Sequence, residues 1–180
     1  MKNLPQTSIT VLDFDDTLAI TNSKIIVTLN NNVTKINATQ FALQHQSLEK
    51  QGAKFNFSEF NKVIGGKTAP LFQKALKLQS KFSSKDMFVL TARPANAAKA
   101  IHVFLKANGL NIPLNNIVGL EDGKPEAKSL WIANKVAEGY NDFYFADDAL
   151  KNVQAVKNTL KQLNVKSKVQ QALVDYKINI

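Results

Sequence analysis

Three carboxylates, Asp13, Asp15 and Asp16, close an apolar run in "VLDFDDTL". A second acidic pair, Asp147 and Asp148, closes another in "FYFADD". These clusters hold five of the nine aspartates, so the acids are concentrated where they repel one another. Such repulsion calls for a cation between them, and hard carboxylate oxygens suit Mg²⁺. "FVLTA" adds the hydroxyl of Thr91, and "GKPEAKSL" adds the ammonium groups of Lys124 and Lys128. A carboxylate–Mg²⁺ site flanked by a hydroxyl and a lysine is built to hold a phosphoryl group.

The elements that must bring these residues together can be read from the pattern of apolar residues. "SITVLDF" is a short β-rich run and predicts a buried strand. From residue 86 the order is strand ("DMFVLTA"), helix ("PANAAKAIHVFLKANG"), strand ("NNIVGL"), helix ("PEAKSLWIANKVAEG"), strand ("DFYFA") and helix ("ALKNVQAVKNTLKQL"). That alternation predicts an α/β three-layer fold, a parallel sheet covered on both faces. In such sheets ligands bind beyond the carboxyl ends of the strands, where both acid clusters, Thr91 and the lysines fall. Residues 19–66 form an insertion after the first strand. It holds a hairpin around Asn30-Asn31-Asn32, a helix that stops at Gly52 and a short turn started by Ser58. A further helix, "APLFQKALKLQSKF", leads back to the sheet. The whole chain, residues 1–180, is expected to form one domain.

At these residues the chain resembles the haloacid dehalogenase (HAD) superfamily of phosphohydrolases. "DFDDTL" is similar to its first motif, D-x-D-x-T-L after an apolar strand, and "FVLTA" to its second, a strand ending in Thr or Ser. A lysine at the head of a helix and "FYFADD" are similar to the third and fourth. The resemblance spans residues 8–160 in the correct order, and extends to small HAD-like proteins encoded by tailed phages. It implies a Rossmann-like HAD fold with a flap or cap formed by the insertion. It also implies that Asp13 is a nucleophile taking the phosphoryl group, and that Asp15 is the general acid and then the base. Thr91 would donate to a phosphoryl oxygen, and a lysine would neutralise charge. Mg²⁺ would be held by Asp13, the backbone carbonyl of Asp15, and Asp147, with Asp148 as ligand or neighbour. Substrate contacts are expected at Phe14, Ala92 and Arg93. "GKP" favours Lys124 as the motif lysine and "PEAKSLWI" favours Lys128, with Lys128 slightly preferred. The insertion is small, so an open site is expected.

The chain carries a net charge of +9, and of its 23 cationic residues only Arg93 is an arginine. One guanidinium kept among so many lysines points to a need for it at that place. The lysine bias, with abundant asparagine, is what an AT-rich genome produces without selection for a polyanionic partner. Residues 151–180 hold six lysines and one acid, Asp175, and lack the stacking aromatics of a nucleic-acid groove, Tyr176 being the only aromatic after Phe145. A packed helix with a solvated lysine face is the favoured reading there. With no cysteine, no apolar run long enough for a membrane span and no signal-peptide core at the start, a cytoplasmic monomer is expected, in the host cytoplasm if phage-encoded.

Competing patterns fail on order. "GGKT" at 65–68 lacks the P-loop's first glycine, since Asn61 stands there, and no strand precedes it. Response-regulator receivers place their accepting Asp before the Thr, but no Asp lies between Asp16 and Asp86. His45 and His102 are lone helical histidines, read as structural. The function expected is a Mg²⁺-dependent phosphomonoester hydrolase acting through a phosphoaspartate on Asp13. A HAD-like binding or structural protein with weak or lost turnover, and a nucleic-acid 3′-phosphatase, are the alternatives. The partner is accordingly a phosphorylated small molecule or a nucleic-acid end.

Overall fold

The computed structural model describes residues 5–173, which leaves Asp175 and Tyr176 outside the described residues. Its centre is a five-stranded, all-parallel sheet. In chain order the elements are β1 (Ser8–Leu12), β2 (Ala19–Ile20), β3 (Ile25–Leu29), β4 (Asn32–Ile36), α1 (Ala38–Lys50), β5 (Lys54–Asn56), β6 (Lys67–Thr68), α2 (Phe72–Lys81), β7 (Met87–Thr91), α3 (Ala98–Ala107), β8 (Ile117–Gly119), α4 (Pro125–Ala137), β9 (Asp142–Asp147), α5 (Leu150–Gln162) and β10 (Lys166–Gln171). The sheet order is β10-β9-β1-β7-β8. The chain therefore builds outward from β1 through β7 to β8, then returns to the other side of β1 for β9 and β10. This reversal beside β1 is the switch point at which a crevice opens past the strand ends.

Alternation along β1 splits the core into two layers. Ile9 and Val11 face Phe88, Leu90, Phe143 and Phe145 of the neighbouring strands, with Ile132 of α4 and Val156 and Leu160 of α5 packed over them. Leu12 faces the opposite way, toward Met87, Val89 and Ala146, beneath Phe72 and Ala75 of α2 and Ile101 and Leu105 of α3. The three-layer Rossmann-like arrangement expected from the sequence is thus present. Strand β10 was not expected. Its sequence, KSKVQQ, has no apolar run, because it lies at the sheet edge with a largely exposed side.

The insertion forms its own layer. β3 pairs antiparallel with both β4 and β5. The β3–β4 turn is made by Asn30 and Asn31 at φ 50° and 63°, the left-handed pair that a two-residue hairpin needs. Asn32 already belongs to β4. A small core of Ile25, Val27, Ile36 and Phe60 holds α1 against this sheet. The short antiparallel pair β2–β6 closes the base of the insertion, where the chain leaves and rejoins the main layer.

Candidate active site

Parallel register decides where the acids meet. Leu12 of β1 pairs with Ala146 of β9 and Val89 of β7, so Asp13, Asp147 and Thr91 emerge side by side at one sheet edge. The Asp13 N–H donates to the Ala146 carbonyl at 3.0 Å, which fixes Asp13 as the last laddered residue before the chain turns. The turn follows at once: the N–H groups of Leu18 and Ala19 both donate to the Phe14 carbonyl, and Asp16 takes a left-handed φ of 59°. A tight reversal there carries the chain out into the insertion.

Lys128 reaches the same point from the second turn of α4. Its ammonium donates to Asp13 Oδ1 at 2.9 Å and to Asp147 Oδ2 at 2.6 Å, and the residue is only 3% exposed. Lys124, in contrast, is the exposed N-cap of α4 and lines an adjacent hollow rather than the one over Asp13. Of the two candidate lysines, the structure brings Lys128 to Asp13 and Asp147 and leaves Lys124 outside that cluster. A helix head places its second turn, not its cap, over the strand ends here.

Each Asp13 oxygen has a donor, since the Thr17 hydroxyl donates to Oδ2 at 3.1 Å. Thr17 also stands 3.4 Å from Asp148 Oδ1. Asp147 is fully buried, its Oδ1 accepting from the Ala149 N–H and its Oδ2 also from Asn152 Nδ2 at 3.1 Å. Asn152 escaped the sequence reading, although its place on the buried face of α5, five residues after Asp147, was a usable signal. Thr91, also buried, accepts through Oγ1 from the Arg93 N–H at 3.2 Å.

One lysine faces three carboxylates. Burial first, then the Asp147 charge, push the Asp13 carboxyl well above the usual range, against the pull of Lys128. Burial likewise pushes Asp148 up to about 6, reinforced by Asp147 and Asp16. Burial alone would lower the Lys128 ammonium, but Asp13 and Asp147 overcome it and hold the group charged, above its ordinary value. Oxygens of Asp13, Asp147 and Asp148 lie within 4.8 Å of one another. This is a donor set of hard oxygens with excess negative charge, and it fits a divalent cation such as Mg²⁺. The Asp15 carboxylate stands outside that trio.

Asp15 is paired instead with Arg93. The guanidinium donates from Nε to Oδ2 at 2.8 Å and from Nη2 to Oδ1 at 2.7 Å. Its Nη1 donates to the carbonyls of Phe60 and Lys62, and Nη2 also reaches Thr21 Oγ1. All five N–H donors are thus engaged within the protein. The rings of Phe60 and Phe14 flank the guanidinium, 4.4 and 5.3 Å from their centroids. Arg93, expected to contact substrate, lines the cavity over Asp13 and joins Asp15 to the insertion. Gly119 permits this packing, because a Cβ there would lie 2.4 Å from the Pro94 carbonyl oxygen.

Phe14 turns its side chain into the core between the sheet and α3, so it is its backbone that lies near the site. Ala92 lines the cavity over Asp13 as expected. That cavity, about 430 Å³, is walled by α1, the 57–60 turn and the start of α5. The expected open site is in fact partly roofed, and Lys151 Nζ reaches the Ala42 carbonyl of α1 at 3.4 Å. Nδ1 of His45 meets the Phe41 carbonyl and Nδ1 of His102 the Ile112 carbonyl, each at 3.0 Å.

No known family model matches the chain, and no curated protein does. Among solved structures, two of the Legionella pneumophila effector Ceg4 are similar to it. One, carrying an N-terminal TEV protease cleavage sequence, is 14% identical with a TM-score of 0.49, covering 99% of this chain and 91% of that one. The other, carrying an N-terminal yeast Hog1p sequence, is 15% identical with a TM-score of 0.45, covering 96% and 90%. At that distance the site has to be read from its own residues.

Proposed function

We propose that this chain is a Mg²⁺-dependent phosphomonoester hydrolase of the HAD type, working through a phosphoaspartate on Asp13. The observation that carries the reading is the position of Asp13, at the floor of a cavity, bridged by Lys128 to Asp147 and flanked by Thr17, Thr91 and Asp148. Asp13, Asp147 and Asp148 would hold the cation, which supplies charge neutralisation for an incoming phosphoryl group. An Asp13 oxygen attacks phosphorus and the ester P–O bond breaks. Asp15 gives a proton to the departing oxygen, then takes one from the water that attacks the phosphoaspartate, releasing inorganic phosphate. Thr91 would donate to a phosphoryl oxygen, and Lys128 would offset its charge. In the present geometry Asp15 is turned to Arg93, so its proton transfer requires that it part from the guanidinium.

A cytoplasmic monomer acting on a phosphorylated small molecule goes with this reading, as does an origin in a phage genome. The test is hydrolysis of p-nitrophenyl phosphate by the purified chain. Turnover with Mg²⁺ that stops on chelation supports the proposal. Turnover unchanged by exhaustive chelation overturns the metal assignment, and no turnover at any Mg²⁺ concentration overturns the enzyme.

A further inference from the structure

The walls of the cavity differ sharply from its floor. Above the acids rise Ile25, Phe41, Leu43, Phe57, Phe60 and Leu150, drawn from β3, α1, the 57–60 turn and α5. Phe41 and Phe57 meet edge to face, with centroids 5.4 Å apart, which gives that wall a fixed shape. Leu43 is 80% exposed and Leu150 is also exposed, an arrangement that leaves apolar surface in water beside the phosphoryl site.

Cations for a second anionic group are scarce there. Lys128 is committed to Asp13 and Asp147, and Arg93 has no donor left. Lys151 stands at the rim, while Asp15, Asp16 and Asp148 face the same space. Among the described residues lining the cavity, a second phosphate would find one cation without an acidic partner, the peripheral Lys151. Sugar hydroxyls set against the wall of Ile25, Phe41, Leu43, Phe57, Phe60 and Leu150 would lose hydrogen bonds to water without replacement.

We infer that the site takes phosphomonoesters whose leaving group is apolar, and that the insertion is the element that selects them. The inference rests on the phosphohydrolase reading. Burying an alkyl chain against this wall gains about fourfold in kcat/KM per methylene removed from water, provided the gain is kept in the transition state.

The experiment is a series of ethyl, butyl and hexyl phosphate with Mg²⁺, since these leaving groups have nearly equal intrinsic reactivity. Glycerol 3-phosphate and a nucleoside 5′-monophosphate serve as polar comparators. kcat/KM should climb with chain length and exceed that of both polar esters for hexyl phosphate. Phe57→Ala, and Leu43→Ser at an exposed position that does not threaten folding, should each lower the hexyl-to-ethyl ratio severalfold. Val103→Ser, an exposed apolar site on α3 remote from the cavity, should leave the ratio unchanged. Turnover with a flat series, or a preference for the polar esters, overturns this inference and leaves the hydrolase reading standing. Absence of turnover with every ester overturns both.

Discussion

Arg93 and Asp15 form a two-pronged ion pair that ties an expected acid–base residue to the insertion, at 2.7 and 2.8 Å. The same guanidinium holds the backbone of Phe60 and Lys62, so the insertion and Asp15 share one anchor. Removing it leaves a partly buried carboxylate and two carbonyls without their donors. Arg93→Ala should therefore cost about 3–5 kcal/mol of stability in urea unfolding, as loss of one partner of a buried pair does. Arg93→Lys, which restores a charge but not the fork, should recover only part of it. A change below about 1 kcal/mol in Arg93→Ala would show that the pair is not the anchor.

Lys128 and Lys124 differ by one helical turn and should differ greatly in effect. Lys128→Ala removes the cation that bridges Asp13 and Asp147, and turnover of an aryl phosphate should fall by about 100-fold or more. Lys124→Ala changes an exposed cap and should stay within about twofold. Equal losses in the two variants would remove the assigned role from Lys128.

The acid cluster gives a test independent of turnover. Asp13→Asn removes one of three mutually repelling carboxylates, so without metal the variant should melt no lower than the wild type. Mg²⁺ at about 100 times its dissociation constant should stabilise the wild type by about 2.7 kcal/mol, through preferential binding to the folded state. The Asn variant should lose most of that gain, as read by thermal melting with and without Mg²⁺. A wild type that melts identically in Mg²⁺ and chelator would mean that these acids hold no divalent cation.

The strands and the gathered acids were legible because buried parallel strands write themselves as apolar runs, and Asp13, Thr91 and Asp147 end three of them. The choice between Lys124 and Lys128 was not fully legible, since both lie at the head of one helix and only the tilt of α4 over the sheet separates them. Arg93 was recognised as exceptional, but its pairing with Asp15 and its hold on the insertion were not read. Two of its targets are the carbonyls of Phe60 and Lys62, and main-chain acceptors carry no sequence signature. β10 was invisible for a different reason. An edge strand that keeps Lys166 and Lys168 in solvent has neither an apolar run nor a clean alternation.

The lysines of α5 bear on nucleic-acid binding. Val153, Val156 and Leu160 are buried against the sheet, while Lys151, Lys157 and Lys161 are exposed. At about 100° per residue Lys157 and Lys161 share a face, but Lys151 points some 120° away from Lys157, toward the Ala42 carbonyl. The three fall within one arc of about 120° of the helix, and what sets Lys151 apart is its contact with α1. Oligonucleotide binding should be negligible at physiological salt, and changing all three lysines to Gln should not alter retention on immobilised DNA or RNA. Retention that falls steeply with salt and is lost in the triple variant would mark counterion release from a real interface. A 3′-phosphorylated oligonucleotide would then become the substrate to test first, and the apolar wall above Asp13 would need another role.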